Sequence, residues 1–108
     1  MSNPRTKLEK AMLLHRDLLS AGKDAWHWDD AHEKYRLDNS RFENGGRHWV
    51  GQGLHSALKE VFAGWKVNDD QIELELDGLT PHLFISRAGF KRMEQVYAQH
   101  HTQQGGRA

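Results

Sequence analysis

The chain has 108 residues, with 15 Lys plus Arg against 15 Asp plus Glu, eight His, four Trp and no Cys, and its length fits one domain. Without cysteine, disulfides, iron–sulfur clusters, thiolate zinc sites and cysteine nucleophiles are excluded. The zero formal charge argues against a general polyanion binder, whose affinity comes from many cations set on phosphates.

In chain order, Asn3-Pro4 signals a helix start, since Asn accepts free amide hydrogens and proline at the first helical position loses no bond. Leu8, Ala11, Met12, His15, Leu18 and Leu19 then recur at helical spacing, predicting a helix over 4–20 that stops at Ser20-Ala21-Gly22. Asp30 and Glu33 have the spacing of a capping box, which predicts a short helix at about 29–37 with Ala31 and Tyr35 facing inward. Residues 38–50 read as a loop or as a small hairpin turning at Asn44-Gly45. Val50, Leu54, Ala57, Leu58, Val61, Phe62 and Trp65 form the strongest helical stripe, starting near Gly53 and ending near Gly64.

The period then changes. Ile72, Leu74 and Leu76 alternate with Glu73, Glu75 and Asp77 as in a strand with one buried face. Gly78 to Pro81 supplies a turn, and His82-Leu83-Phe84-Ile85 reads as the returning strand. Ser86 caps a last helix with Phe90, Met93, Val96 and Tyr97 inward. The expectation is a single α+β domain over 1–101, with three N-terminal helices, a β-hairpin and a C-terminal helix, followed by a disordered tail over 102–108. No stretch approaches the roughly 20 apolar residues of a membrane helix. No apolar signal segment follows Met1-Ser2-Asn3-Pro4-Arg5, so no membrane is expected and the cytoplasm is the expected address.

This element order resembles a winged-helix domain. The stretch Leu83-Phe84-Ile85-Ser86-Arg87-Ala88-Gly89-Phe90-Lys91-Arg92-Met93 looks like the junction in bacterial winged-helix regulators where the second wing strand runs into a C-terminal helix. The resemblance covers about 35 residues from the hairpin to the end of the chain. It implies a recognition helix over 51–63, a wing over 71–85 and a DNA-binding regulator working as a dimer. Charge shifts the expected contacts. Between Lys66 and Arg87 there is no basic residue and there are five acids, which would repel a phosphate backbone. The expected DNA-binding residues are therefore Arg36, Arg41, Arg47, Lys59, Arg87, Lys91 and Arg92.

His27 and His32 lie among Asp29, Asp30 and Glu33, but a spacing of five fits no established helical metal site, and no metal or other cofactor is expected. Ser20, Ser40, Ser56 and Ser86 stand in no nucleophile elbow, and no phosphate-binding loop motif occurs. His15, on the apolar stripe, reads as a core histidine. The expected function is a non-enzymatic regulatory module. The competing expectation is a protein-binding inhibitor or adaptor from a mobile element, which offers Trp26, Trp28, Asp69, Asp70, Glu73 and Glu75 to a basic protein partner.

Overall fold

The computed structural model describes residues 7–50 and 53–105; the Asn3-Pro4 start signal lies outside them. Helix α1 (Lys7–Ala21) buries Ala11, Leu14 and Leu18. Leu8 and Met12, expected on the same stripe, are 66% and 62% exposed. The helix packs mainly on the long helix that begins at Leu54, and the line of contact runs through 11, 14 and 18, leaving the flank of the predicted stripe uncovered.

The short helix expected at 29–37 is instead part of a β-hairpin. Strand β1 (Trp26–Asp29) pairs antiparallel with β2 (Lys34–Leu37), Trp26 opposite Leu37 and Asp29 opposite Lys34. The acids that resemble a helix cap serve the turn. Asp29 Oδ1 accepts the His32 backbone N–H at 3.1 Å, and Glu33 takes a positive φ of 53°. Trp26 and Leu37 are buried, while the intervening His27 and Arg36 are exposed, a period of two that outweighs the capping signal.

Residues 39–46 make two 3-10 turns, Asn39–Arg41 and Glu43–Gly46. A single helical turn, α2 (Arg47–Val50), follows, and then α3 (Leu54–Gly64). Helix α3 buries Leu54, Ala57, Leu58, Val61 and Phe62. Only two long helices therefore precede the second hairpin.

That hairpin joins β3 (Ile72–Asp77) to β4 (Thr80–Ile85). Asp77 pairs with Thr80, so the turn is the two residues Gly78-Leu79, with Gly78 at a φ of 63° that favours glycine. Strand β4 also pairs with β2, through Tyr35 opposite Ile85 and Arg36 opposite Phe84. Pro81 sits beyond that pairing, where no neighbour needs its missing N–H. The result is a four-stranded antiparallel sheet in the order β1-β2-β4-β3.

Ser86 caps α4 (Arg87–Gly105), its Oγ accepting the Gly89 N–H at 3.1 Å. A Cβ on Gly89 would lie 2.8 Å from Ile85 Cγ1 and 3.2 Å from Gln71 Cβ, so only glycine lets α4 sit this close to β4. Phe90, Met93 and Tyr97 are buried and Val96 is partly so, as the spacing predicts. Helix α4 carries the chain past residue 101, and 106–108 lie outside the described residues. Helices cover one face of the sheet, where Trp26, Leu37, Leu83 and Ile85 join the core. Among the described residues no helix is long and apolar enough to cross a membrane.

Candidate functional site

Strand alternation decides which side chains leave the core. The face of the sheet opposite the helices carries His27, Asp29, Lys34, Arg36, Glu73, Glu75, His82 and Phe84. Most of its charges satisfy one another. Lys34 Nζ lies 3.3 Å from Glu73 Oε1 and Arg36 Nε lies 3.9 Å from Asp29 Oδ2. His27 Nε2 approaches Asp38 Oδ2 at 3.4 Å, and Asn39 Nδ2 contacts His82 Nδ1 at 3.3 Å.

His32, from the β1–β2 turn, folds over this face. Its ring stacks on Phe84 with centroids 4.0 Å apart and 20° between the planes. Phe84 is buried at 2% exposure but stands outside the main core cluster, so what covers it is this turn. His32 Nε2 lies 3.1 Å from Glu75 Oε2, and Nδ1, out of contact with solvent, lies 3.3 Å from Asp29 Oδ1. The Asp29 carboxylate is the main cause that raises His32 above the ordinary histidine value; partial desolvation opposes the rise, and Glu75 adds to it. Asp29 is lowered in turn, chiefly by the His32 backbone N–H. Asp38 is lowered mainly by its hydrogen bond from the Ser40 hydroxyl.

A second region lies where α3 ends and α4 begins. Lys66, just past α3, and Lys91 and Arg92, on the first turns of α4, line an open groove of about 720 Å³ with Asn68, Gln71 and Gln95. Lys66 has a φ of 62°, which turns the chain back after α3. Among the described residues, none of the three cations has an acidic partner within ion-pair distance; Arg92 Nη1 donates only to Gln95 Oε1, at 3.2 Å.

The residues expected to bind DNA thus do not converge on one surface. Lys91 and Arg92 meet in the groove. Arg36 is on the open sheet face, and Arg87 lies 4.5 Å over the Trp28 ring. Arg47 Nε donates to Thr80 Oγ1 at 3.3 Å, near the β3–β4 turn. Arg41 is exposed in its 3-10 turn, and Lys59 is exposed on α3 beside His55 and Asp69. Lys66 completes the groove from 25 positions before Lys91, and nothing in local spacing announces it.

The residues expected to meet a protein partner also separate. Trp26 is 5% exposed and donates its Nε1–H to Tyr97 Oη at 3.1 Å, so it is a core residue and a partner cannot reach it. Burial pushes the Tyr97 hydroxyl up to about 12, with the Trp26 hydrogen bond opposing. Trp28, 38% exposed, is an edge residue held by Arg87, Tyr35 and Asp30. Glu73 and Glu75 are engaged by Lys34 and His32, whereas Asp69 and Asp70 stand exposed in the 3-10 turn before β3.

Neither His15 nor His55 is paired with a carboxylate among the described residues. His15 Nδ1 accepts the Trp65 Nε1–H at 2.9 Å, and burial, with a smaller contribution from His100, lowers its pKa. His55 shares a shallow hollow with Asp69 but makes no hydrogen bond to it. No family model, no curated protein and no solved structure matches the chain.

Proposed function

We propose that the chain is a non-enzymatic binding module of winged-helix kind that holds the phosphate backbone of duplex DNA at the Lys66–Lys91–Arg92 groove. The observation that carries this reading is the unpaired state of the three cations, in a molecule whose sheet-face cations have acidic partners. Cations without a partner cost little to bring against phosphate, because no ion pair has to be broken. A β-hairpin and a closing helix follow α3, in the order the resemblance calls for.

Base reading on this view is weak. The exposed side chains of α3 include His55, Ser56, Lys59 and Glu60, and it offers none of the bidentate Arg or Asn contacts that specify bases best. Affinity is then mostly electrostatic and steeply salt-dependent. Fluorescence anisotropy with a labelled duplex tests this. The triple variant K66A/K91A/R92A should bind about a hundredfold more weakly, with a log–log salt slope shallower by about 0.9 for each phosphate no longer neutralised. No binding at about 50 mM salt, or wild-type affinity in the variant, would overturn the reading.

One observation favours a protein partner instead. Strand β3 is a sheet edge, Leu76 and Leu79 at its tip are 47% and 66% exposed, and Asp69, Asp70 and Asp77 have no ion-pair partner among the described residues. Such an edge can add a strand from a basic partner. Failure to bind DNA, together with capture of a basic strand-forming peptide at β3, would favour this adaptor reading.

A further inference from the structure

We propose that His32, Glu73 and Glu75 form a divalent-cation site of zinc type, with Asp29 positioning the histidine. Each residue offers one ligand atom, and the three atoms lie within 4.8 Å of one another. In a tetrahedral zinc site neighbouring ligand atoms stand about 3.4 Å apart. His32 Nε2 and Glu75 Oε2 are already at 3.1 Å, and the exposed Glu75 chain can close the remainder by rotation. Glu73 meets Lys34 through Oε1 alone, which leaves its second oxygen for a metal.

Two further observations set this group apart from a patch of acids. The first is what holds the histidine. Its Nδ1 lies 3.3 Å from Asp29 Oδ1, out of solvent and without a hydrogen-bond partner as placed, while its Nε2 faces the glutamates. Histidines that ligate metals commonly have their other nitrogen held by a carboxylate, which fixes the tautomer and the ring direction, and a small turn of the His32 ring would bring Nδ1 into that bond with Asp29. The second is the ring clamp, the stacking of His32 on the buried Phe84, which fixes the ring plane before any ion arrives. An imidazole nitrogen with two carboxylates suits zinc better than calcium or magnesium, which prefer all-oxygen sites. Three protein ligands leave a fourth position for water or a partner's side chain.

This site owes nothing to the DNA reading, and its test is separate. Zinc chloride is titrated into the full chain carrying His100→Gln and His101→Gln, which removes the adjacent histidines near the C-terminal end. Calorimetry reads affinity, and histidine nitrogen–proton spectra read the site. The expected result is one zinc per chain, with the Nε2 resonance of His32 shifted. Adding Glu73→Gln and Glu75→Gln should weaken binding at least tenfold, and Asp29→Asn alone should weaken it by about tenfold. Asp29 also holds the β1–β2 turn through the His32 backbone N–H, so the dispersion of the spectra verifies the fold of each variant. Zinc that leaves the His32 resonance unmoved, or that binds the Glu73→Gln/Glu75→Gln chain as tightly, overturns the proposal.

Discussion

The open face of the sheet and the groove between the 66–71 connection and α4 are both polar and both carry lysine and arginine, yet they treat charge differently. On the sheet face, Arg36 meets Asp29 on the neighbouring strand β1 and Lys34 reaches over β4 to Glu73 on β3, and His32 lies between Asp29 and Glu75. In the groove Lys66, Lys91 and Arg92 converge without an acid within ion-pair distance among the described residues. A surface that neutralises itself shows an anion little net field. One whose cations are left over has charge to offer a ligand. The zero net charge of the chain hides this division, and the number of cations matters less than whether an acid shares the same strand face.

The largest expected effect that sharpens the contrast concerns what the sheet face hides. Phe84 is the buried aromatic of that face, covered by His32 rather than by a helix. Phe84→Ala should cost about 3 kcal/mol, read from urea unfolding, because the turn cannot collapse into the space without giving up the ion pairs of His32. A cost below about 1 kcal/mol would mean that the turn does not close on the face, and the two regions would then differ in charge alone. The DNA assay gives the crossed control. Neutralising Glu73 and Glu75 should leave duplex affinity near wild type, while the groove variant loses it.

A smaller effect separates the core side from the open side through protonation. His15 accepts a hydrogen bond from Trp65 through Nδ1, which requires that nitrogen to be unprotonated, and burial lowers its pKa. Unfolding restores the ordinary value of about 6.5. The unfolded chain therefore takes up the proton first, and stability falls as pH drops below that value toward the lowered one. The stabilisation is fully present above pH of about 6.5. His15→Gln should flatten this part of the profile of unfolding midpoint against pH. An unchanged slope would show that another group carries the acid sensitivity of this range.

The sequence was legible where one period ran uninterrupted. The stripe from Leu54 to Phe62, the alternation from Ile72 to Leu76 and the spacing of Phe90, Met93 and Tyr97 each pointed to the right element, because burial against a single neighbour imposes a single period. Residues 26–37 misled because Asp29, Asp30 and Glu33 satisfy local capping rules. Only pairing with β4, which follows some 50 positions later, makes the Trp26 to Leu37 stretch a hairpin. In α1 the period was right but the packed line was turned toward Leu14, since the outer edge of a stripe depends on how wide its partner is. The site was harder to read. Lys66 joins Lys91 and Arg92, and His32 joins Glu75 from 43 positions away, through chain folding that no local spacing records.

The smallest effect tests the comparison most directly. If the sheet face owes its neutrality to pairing, the Lys34–Glu73 pair should be energetically real but slight. Their side chains are 29% and 40% exposed, so water screens the attraction and ordering two long chains offsets part of it. A double-mutant cycle with Lys34→Met and Glu73→Gln should give a coupling of about 0.5 kcal/mol, shrinking as salt rises from about 0.05 to 0.5 M. The two residues reach each other over β4, which lies between their strands, so the longer span of the side chains keeps the coupling small. A coupling of zero at low salt would make the sheet-face cations as free as those of the groove. Selective DNA binding at the groove could then no longer be explained by pairing, and would have to rest on the shape of the groove between the 66–71 connection and α4.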